Sequence, residues 1–407
     1  MASDAPGESP SATAPLQDLP QVLALPNYPL SLSDRPTTAG QVAMDHLQGS
    51  LAQAEREFAA AQLKCQAPCR PVRQQARLAG LLFQRYQWLG SLADLDRVVE
   101  LLQQIEGPAT TGAHQDPSLV LLMATVHAHM HQFAGAKSIL LSLPETAQRQ
   151  RLLAEIDAAT KLPAPSASAA LPARELSVGQ EVEDLIERAH ECILKGDLNC
   201  ASQHFHAAQF IYHDVAPVPL AWLHTQQGIA LLRFGHPEAA IPFFRAAVAR
   251  APNDLLASEH LAECLSLTGG DQEALGIYQT VVKQSGNPEF IAAMGDLQAK
   301  LGMNAEAERS LALARKGFAE RLARFPSAYT MHAVGFYLEH DAADIGLKLA
   351  RENILLRQDS ASWLLLAEAA LANGQEAEAC QALTKVRQAQ LNPPEAKALA
   401  LQLPDCS

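Results

Sequence analysis

Apolar residues recur three and four positions apart along most of the chain, broken by short turns that carry Gly and Pro, and this period predicts helices. The pattern is clearest from Gln227 to Asn253, QGIALLRFGHPEAAIPFFRAAVARAPN. Small Gly228, Ala240 and Ala247 alternate there with bulky Leu231 and Phe244, Gly235-His236-Pro237 splits the stretch, and Pro252 closes it. Two antiparallel helices follow. The small residues mark where the backbones touch, and the large ones fill the layers between them. A shift of 34 residues carries Gly228 to Ala262, Leu231 to Leu265, Gly235 to Gly269, Ala240 to Ala274 and Phe244 to Tyr278. The pattern returns at Gly295, Gly302, Ala307, Leu311 and Ala314, more loosely at Val334, Tyr337, Gly346, Ala350 and Asn353, and again from Trp363 to Val386. Upstream, Ala189, Cys192, Gly196, Ala201, Phe205 and Ala208 fit as well.

These residues resemble the tetratricopeptide repeat (TPR), whose pattern is a small and then a large residue in helix A, Ala–aromatic–Ala in helix B and a closing Pro, with a period of about 34. The resemblance implies an all-α solenoid of about eight helical hairpins wound as a right-handed superhelix. It also implies a concave face lined by helix A. Carried over position by position, that face includes His190, Trp222, Thr225, Ile229, Arg233, Glu259, Glu263, Asp296 and Glu368, with Ile186, Glu289, Lys300, Met331, Glu339 and Leu364 beside them. The Lys and Asn residues with which some members clamp chaperone tails are missing. The groove is instead apolar near Trp222 and rich in carboxylates beyond it, which favours a basic or amine-bearing peptide.

Four segments follow. Residues 1–39, with Pro at 6, 10, 15, 20, 26, 29 and 36, form a flexible tail. Residues 40–160 form an N-terminal block: a long helix to about Pro68, helices Val72–Trp88 and Leu92–Ile105, a divergent hairpin around Ala124, Ala136 and Leu140, and a helix from Thr146 to Ala159. Residues 161–178, KLPAPSASAALPARELSV, read as a linker. Residues 179–407 hold the regular array and a helix opened by Pro393-Pro394, which caps it with a polar outer face. Two steps of 39 residues place five extra residues after helix B, in QFIYHDVAPVP and RKGFAERLARFP, and both predict a helix extended by about a turn.

Composition narrows the function. A net charge of -13 leaves no basic surface for nucleic-acid phosphates. No run approaches the roughly 18 apolar residues of a membrane span. The Ser/Ala/Pro opening resembles the spacer behind a signal or lipid anchor in bacterial envelope proteins, which favours the periplasm over the cytoplasm. Catalytic motifs and cofactor fingerprints are absent, so the chain reads as a non-enzymatic scaffold for a protein or peptide. The alternative is a metal-handling envelope protein. His127 and His131, a helical turn apart with Met130 between them, suit copper or zinc; the repeat register instead puts His127 in the core and His131 at the turn. Cys65/Cys69 and Cys192/Cys200 are the candidate disulfides, and Cys264 and Cys380 read as small core residues.

Overall fold

The computed structural model describes residue 32 and residues 36–64, 71–105, 116–162, 178–340 and 342–406. Most of the expected tail, the Cys65/Cys69 pair and most of the expected linker lie outside them. The described residues form 19 helices and no strand.

Six helices precede the array: α1 (Gly40–Lys64), α2 (Val72–Leu89), α3 (Leu92–Ile105), α4 (Pro117–His129), α5 (Phe133–Leu141) and α6 (Ala147–Thr160). Six hairpins follow, α7 (Val178–Leu194) with α8 (Leu198–Ile211), α9 (Pro217–Arg233) with α10 (Pro237–Arg250), α11 (Leu255–Leu267) with α12 (Asp271–Ser285), α13 (Pro288–Lys300) with α14 (Asn304–Arg324), α15 (Pro326–Glu339) with α16 (Ala343–Leu356), and α17 (Ser360–Ala372) with α18 (Glu376–Gln388). A last helix, α19, spans Pro394–Gln402.

Local chemistry sets these boundaries. Pro217, Pro237, Pro288 and Pro326 open helices at a position that needs no N–H. Asp197, Asp254 and Asp359 each accept a hydrogen bond from the backbone N–H three residues on. Inside the hairpins, small residues meet large ones as the spacing predicts. A Cβ on Gly228 would stand 2.7 Å from the Phe244 ring, and Ala201, Ala240, Ala274, Ala350 and Ala379 are fully buried. The turn glycine Gly235 has φ of 80°, and Gly196, Gly269, Gly302 and Gly374 share its positive sign.

Two expectations change. α14 does run on to Arg324, but α8 stops at Ile211 and its five extra residues form a loop. Tyr212 Oη donates to the Ala216 carbonyl at 2.7 Å, the Asp214 side chain accepts from Ala216 N, and the Val215 carbonyl receives the Thr38 N–H at 2.8 Å. These bonds hold the loop open and tie residues ahead of α1 to it.

The second change concerns α19, which is more than a polar cap. Asn392 N–H donates to the Leu194 carbonyl at 2.8 Å, Lys397 Nζ to the Gly196 carbonyl at 3.1 Å, and Arg233 grips Glu395 through two nitrogens at 2.7 and 3.1 Å. A Cβ at Gly196 would stand 2.3 Å from the Asn392 oxygen, so only glycine permits the approach. The last helix therefore returns to the first hairpin.

The N-terminal helices pack on the array as well. Phe325, Ala328 and Tyr329 share one apolar core with Leu95, Leu102 and Met130. Arg321 and Arg324 reach Asp96 at 2.5 and 3.1 Å, and Gln358 N–H donates to the Ala159 carbonyl at 3.0 Å.

Candidate functional site

The inner helices of the array and the N-terminal helices enclose a chamber of about 970 Å³. One wall is built from α9, α11, α13 and α15, and the other from the end of α2, the start of α3 and the end of α4. The chain has 12 Phe, 6 Tyr and 3 Trp, and eight of these rings line the chamber, two Trp among them: Tyr86, Trp88, Trp222, Tyr278, Phe290, Phe318, Tyr329 and Phe336. Tyr86, Trp88, Trp222 and Phe290 are partly exposed, and Tyr278, Phe318, Tyr329 and Phe336 are buried behind the chamber wall. Leu267, Asp296, Lys300 and Glu339 are exposed, which sets the chamber's rim at the ends of α11, α13 and α15.

Carboxylates and histidines alternate along the array wall. His260 Nδ1 lies 3.2 Å from Glu259 and 2.9 Å from Glu263 on the same helix. Glu289 of α13 meets His332 Nδ1 of α15 at 2.9 Å, and Asp296 meets His340 Nε2 at 3.0 Å. Burial opposes a charge on His260, but Glu259 and Glu263 outweigh it and raise its pKa. Burial likewise works against His332, and Glu289 outweighs it. Glu259 moves upward because burial disfavours its charge, with Glu263 and Glu289 adding to the effect. On the opposite wall Tyr86 Oη is 2.7 Å from His129 Nε2, and burial pushes His129 down to about 3, so that ring is neutral.

Of the residues expected on the concave face, Trp222, Glu259, Glu263 and Asp296 line the chamber, with Glu289, Lys300 and Glu339. Thr225 does not face it. It is fully buried and its Oγ1 donates to the Ala221 carbonyl, because α9 is enclosed from Leu223 to Leu232. Ile229 is core for the same reason, only 7% exposed. Arg233 is committed to Glu395, and His190 Nε2 lies 3.0 Å from the Gln226 side-chain oxygen. Glu368 is half-buried away from the chamber, and burial followed by Glu395 and Glu339 lifts it to about 7. The expected set contained none of the residues that the N-terminal helices contribute, Tyr86, Trp88 and His129. Nothing in the local spacing of α2 and α4 announces that they face the array.

The architecture rests on the repetition itself. Six consecutive hairpins repeat one arrangement, with small-against-large contacts such as Gly228 on Phe244 and Gly295 on Leu311, and the first helix of four of them, α9, α11, α13 and α15, lines the chamber. The fold is a solenoid of helical hairpins of the tetratricopeptide-repeat type. No family model matches the chain, and no curated protein does. Among solved structures it is similar to a tetratricopeptide repeat protein from Parabacteroides merdae, 20% identical over 55% of this chain and 99% of that one, with a TM-score of 0.31. It is similar also to yeast Tom70, 12% identical over 89% of each chain with a TM-score of 0.34. A third is the human IFIT1 dimer with PPP-AAAA, 13% identical over 88% of this chain and 95% of that one, with a TM-score of 0.41. At these identities and scores the likeness says nothing of what this chain binds.

The His127/His131 metal pair is not assembled. α4 ends at His129, and His131 leaves the helix with a left-handed φ of 54°. Its Nδ1 faces the Ser327 carbonyl at 2.9 Å and its Nε2 the Arg357 guanidinium at 3.1 Å. This turn histidine is thus buried in the joint between the N-terminal helices and the TPR array, and neutral, with burial pushing it down to about 4. Cys192 and Cys200 form a disulfide across the first array hairpin, and Cys264 is a buried free thiol. Cys380 is no simple core residue. It is bonded to Cys406, which fastens the segment after α19 to α18, a pairing that its helical position alone does not reveal. Among the described residues no helix is long and apolar enough to cross a membrane.

Proposed function

We propose that this TPR protein is a non-enzymatic scaffold that holds a short segment of a partner protein in the chamber between its N-terminal helices and the inner face of its array. The observation that carries the reading is the gathering of eight aromatic rings and six carboxyl-bearing side chains around one cavity that opens at its rim. Aromatic side chains supply large contact area at small entropic cost and dominate the energetics of protein recognition. The carboxyl groups are Asp254, Glu259, Glu263, Glu289, Asp296 and Glu339, against a single Lys and no Arg, so a basic segment is the complementary one. The two disulfides, Cys192–Cys200 and Cys380–Cys406, fit an oxidising compartment.

Substitution Ala293→Trp tests the chamber directly, because Ala293 lines it and takes part in none of the ion pairs. Tagged wild-type and variant proteins are used to capture partners from lysate of the source organism, with melting temperature measured in parallel. A partner lost by a variant that melts like the wild type supports the reading. A partner captured equally by both rejects it.

A further inference from the structure

We propose that Cys192, Cys200 and His204 form a zinc site in the reduced protein, so that the disulfide of the first array hairpin and a bound zinc ion are alternative states of one place in the fold. One donor atom from each of the three side chains, two sulfurs and a ring nitrogen, lies within 4.8 Å of the other two. None of the three lines the chamber, and the site stands whether or not the chamber binds a peptide.

The sequence builds the cluster within one hairpin. Cys192 lies near the end of α7 and Cys200 in the first turn of α8, with Cα atoms 5.7 Å apart. Gly196 reverses the chain between them at a φ of 74°, and Asp197 fixes the start of α8 by accepting the Cys200 N–H at 2.9 Å. His204 comes four residues after Cys200, one helical turn on, and shares its face. Cys192 is buried, whereas Cys200 and His204 are half-buried, so the cluster is within reach of an ion from solvent.

A bridge that only staples a fold needs no third donor. The second bridge has none: among the described residues no His, Asp or Glu joins the sulfurs of Cys380 and Cys406 in such a group. Nor is the His204 ring engaged elsewhere, since it has no hydrogen-bond partner among the described residues. The charged groups that act on it, Arg188 and Glu191 of α7, oppose each other.

The donor set selects the metal. Two thiolates neutralise a divalent ion, and sulfur with imidazole nitrogen is the ligand chemistry of zinc, whereas calcium and magnesium require oxygen. Zinc holds sulfur at roughly 2.3 Å and nitrogen at roughly 2.0–2.1 Å in a tetrahedron, which sets two sulfurs about 3.8 Å apart. That spacing falls inside the 4.8 Å that spans the three donors, so the change of state asks only for rotation of side chains. Water takes the fourth position.

The exchange balances in two electrons and two protons. A dithiol reductant gives up both and closes its own disulfide, the Cys192–Cys200 bond opens, and each sulfur gains a proton. Zinc then displaces the two protons to solvent, forming two Zn–S bonds and one bond to the His204 nitrogen. A disulfide oxidant reverses the sequence and releases the ion. Both states brace the turn whose Leu194 and Gly196 carbonyls receive Asn392 and Lys397, so zinc keeps the seam with α19 supported when the bridge is reduced.

The test uses the full chain, either oxidised or reduced with a phosphine, because a dithiol itself binds zinc. Zinc affinity is measured by competition with a chromophoric chelator, and cobalt(II) in place of zinc reports its ligands by absorption. The reduced protein is expected to bind zinc about tenfold or more tightly than the oxidised one and to show thiolate-to-cobalt charge transfer. Zinc should also shield Cys200 from iodoacetamide, as located by peptide mass spectrometry. His204→Ala should weaken zinc about tenfold or more and remove the rise in melting temperature that zinc gives the reduced wild type. In the oxidised state the same variant should melt like the wild type. Equal zinc affinity in the two redox states, an affinity unchanged by His204→Ala, or alkylation of Cys200 undiminished by zinc overturns the site. The shielding of Cys200 is read in the wild type, so it decides the matter even where the variant folds poorly.

Discussion

Within α9–α12 the contacts are Phe244 on Gly228 and side chains such as Ala240, Ala262, Ala274 and Tyr278 in a common apolar core. At the joint between the N-terminal helices and the array, apolar Tyr329 and Met130 are joined by Arg321 on Asp96, Ser327 Oγ on the Met130 carbonyl, and His131 between Ser327 and Arg357. The first region is held by volume and the second by charge and donor–acceptor matching as well. Removing volume harms an apolar core at any pH, whereas the joint responds to protons and salt. Since the N-terminal helices of the joint form one side of the chamber, its sensitivity reaches the chamber wall.

The largest expected effect is in the apolar region. Phe244→Ala should cost about 3–5 kcal/mol, read by denaturant unfolding, because the ring is fully buried against Gly228. A loss below about 1 kcal/mol would show that the hairpin collapses around the gap and would erase the contrast.

The next effect lies in the joint. His131 sits near 4 in the folded protein, whereas an ordinary histidine titrates near 6.5. As pH falls below about 6.5 the unfolded chain takes up the proton first, so stability is lost across the window down to about 4 and is fully present above it. Asn tolerates a left-handed φ and does not titrate. In His131→Asn the difference in unfolding free energy between pH 7 and pH 4 should therefore shrink by on the order of 2 kcal/mol. An unchanged difference would assign the acid sensitivity of the protein to other buried histidines, such as His129 and His224.

The smallest concerns a titrating group of the array that lies away from the chamber. Glu368 is held near 7 by burial and by Glu395 and Glu339. Below about 4.5 both states are protonated and it contributes nothing. Between 4.5 and 7 the unfolded chain ionises first and stability falls, reaching its full penalty above 7. Glu368→Gln should thus stabilise the protein at pH 8 by on the order of 1 kcal/mol and leave it unchanged at pH 4, compared by melting temperature at the two values.

The array was legible because its signal is local. Gly228, Leu231, Ala240 and Phe244 meet within one hairpin, and each later copy repeats the spacing. Trp222, Glu259, Glu263 and Asp296, which that register puts on the inner face of helix A, line the chamber wall. Thr225 and Ile229 of the same register are buried, since a face exposed in an isolated repeat is covered here along α9. The opposite wall had no such signal. Arg321 and Asp96 are 225 residues apart, and Arg357 and His131 are 226 apart, and no periodicity relates partners so distant. Cys380 and Cys406 escaped for a similar reason, because the chain beyond α19 carries no repeat to set its position.

The return of α19 to the first hairpin changes what kind of object the array is. A stack of repeats ordinarily behaves as a line with two ends, where the outermost units fray first and disorder creeps inward. Here Asn392, Glu395 and Lys397 engage Leu194, Arg233 and Gly196, so the line is joined into a loop. Melting of the terminal unit must first break that seam. The circumference is fixed as well: inserting or deleting one hairpin would pull the two halves of the seam out of register, so this array is not free to grow or shrink by whole repeats as an open one is.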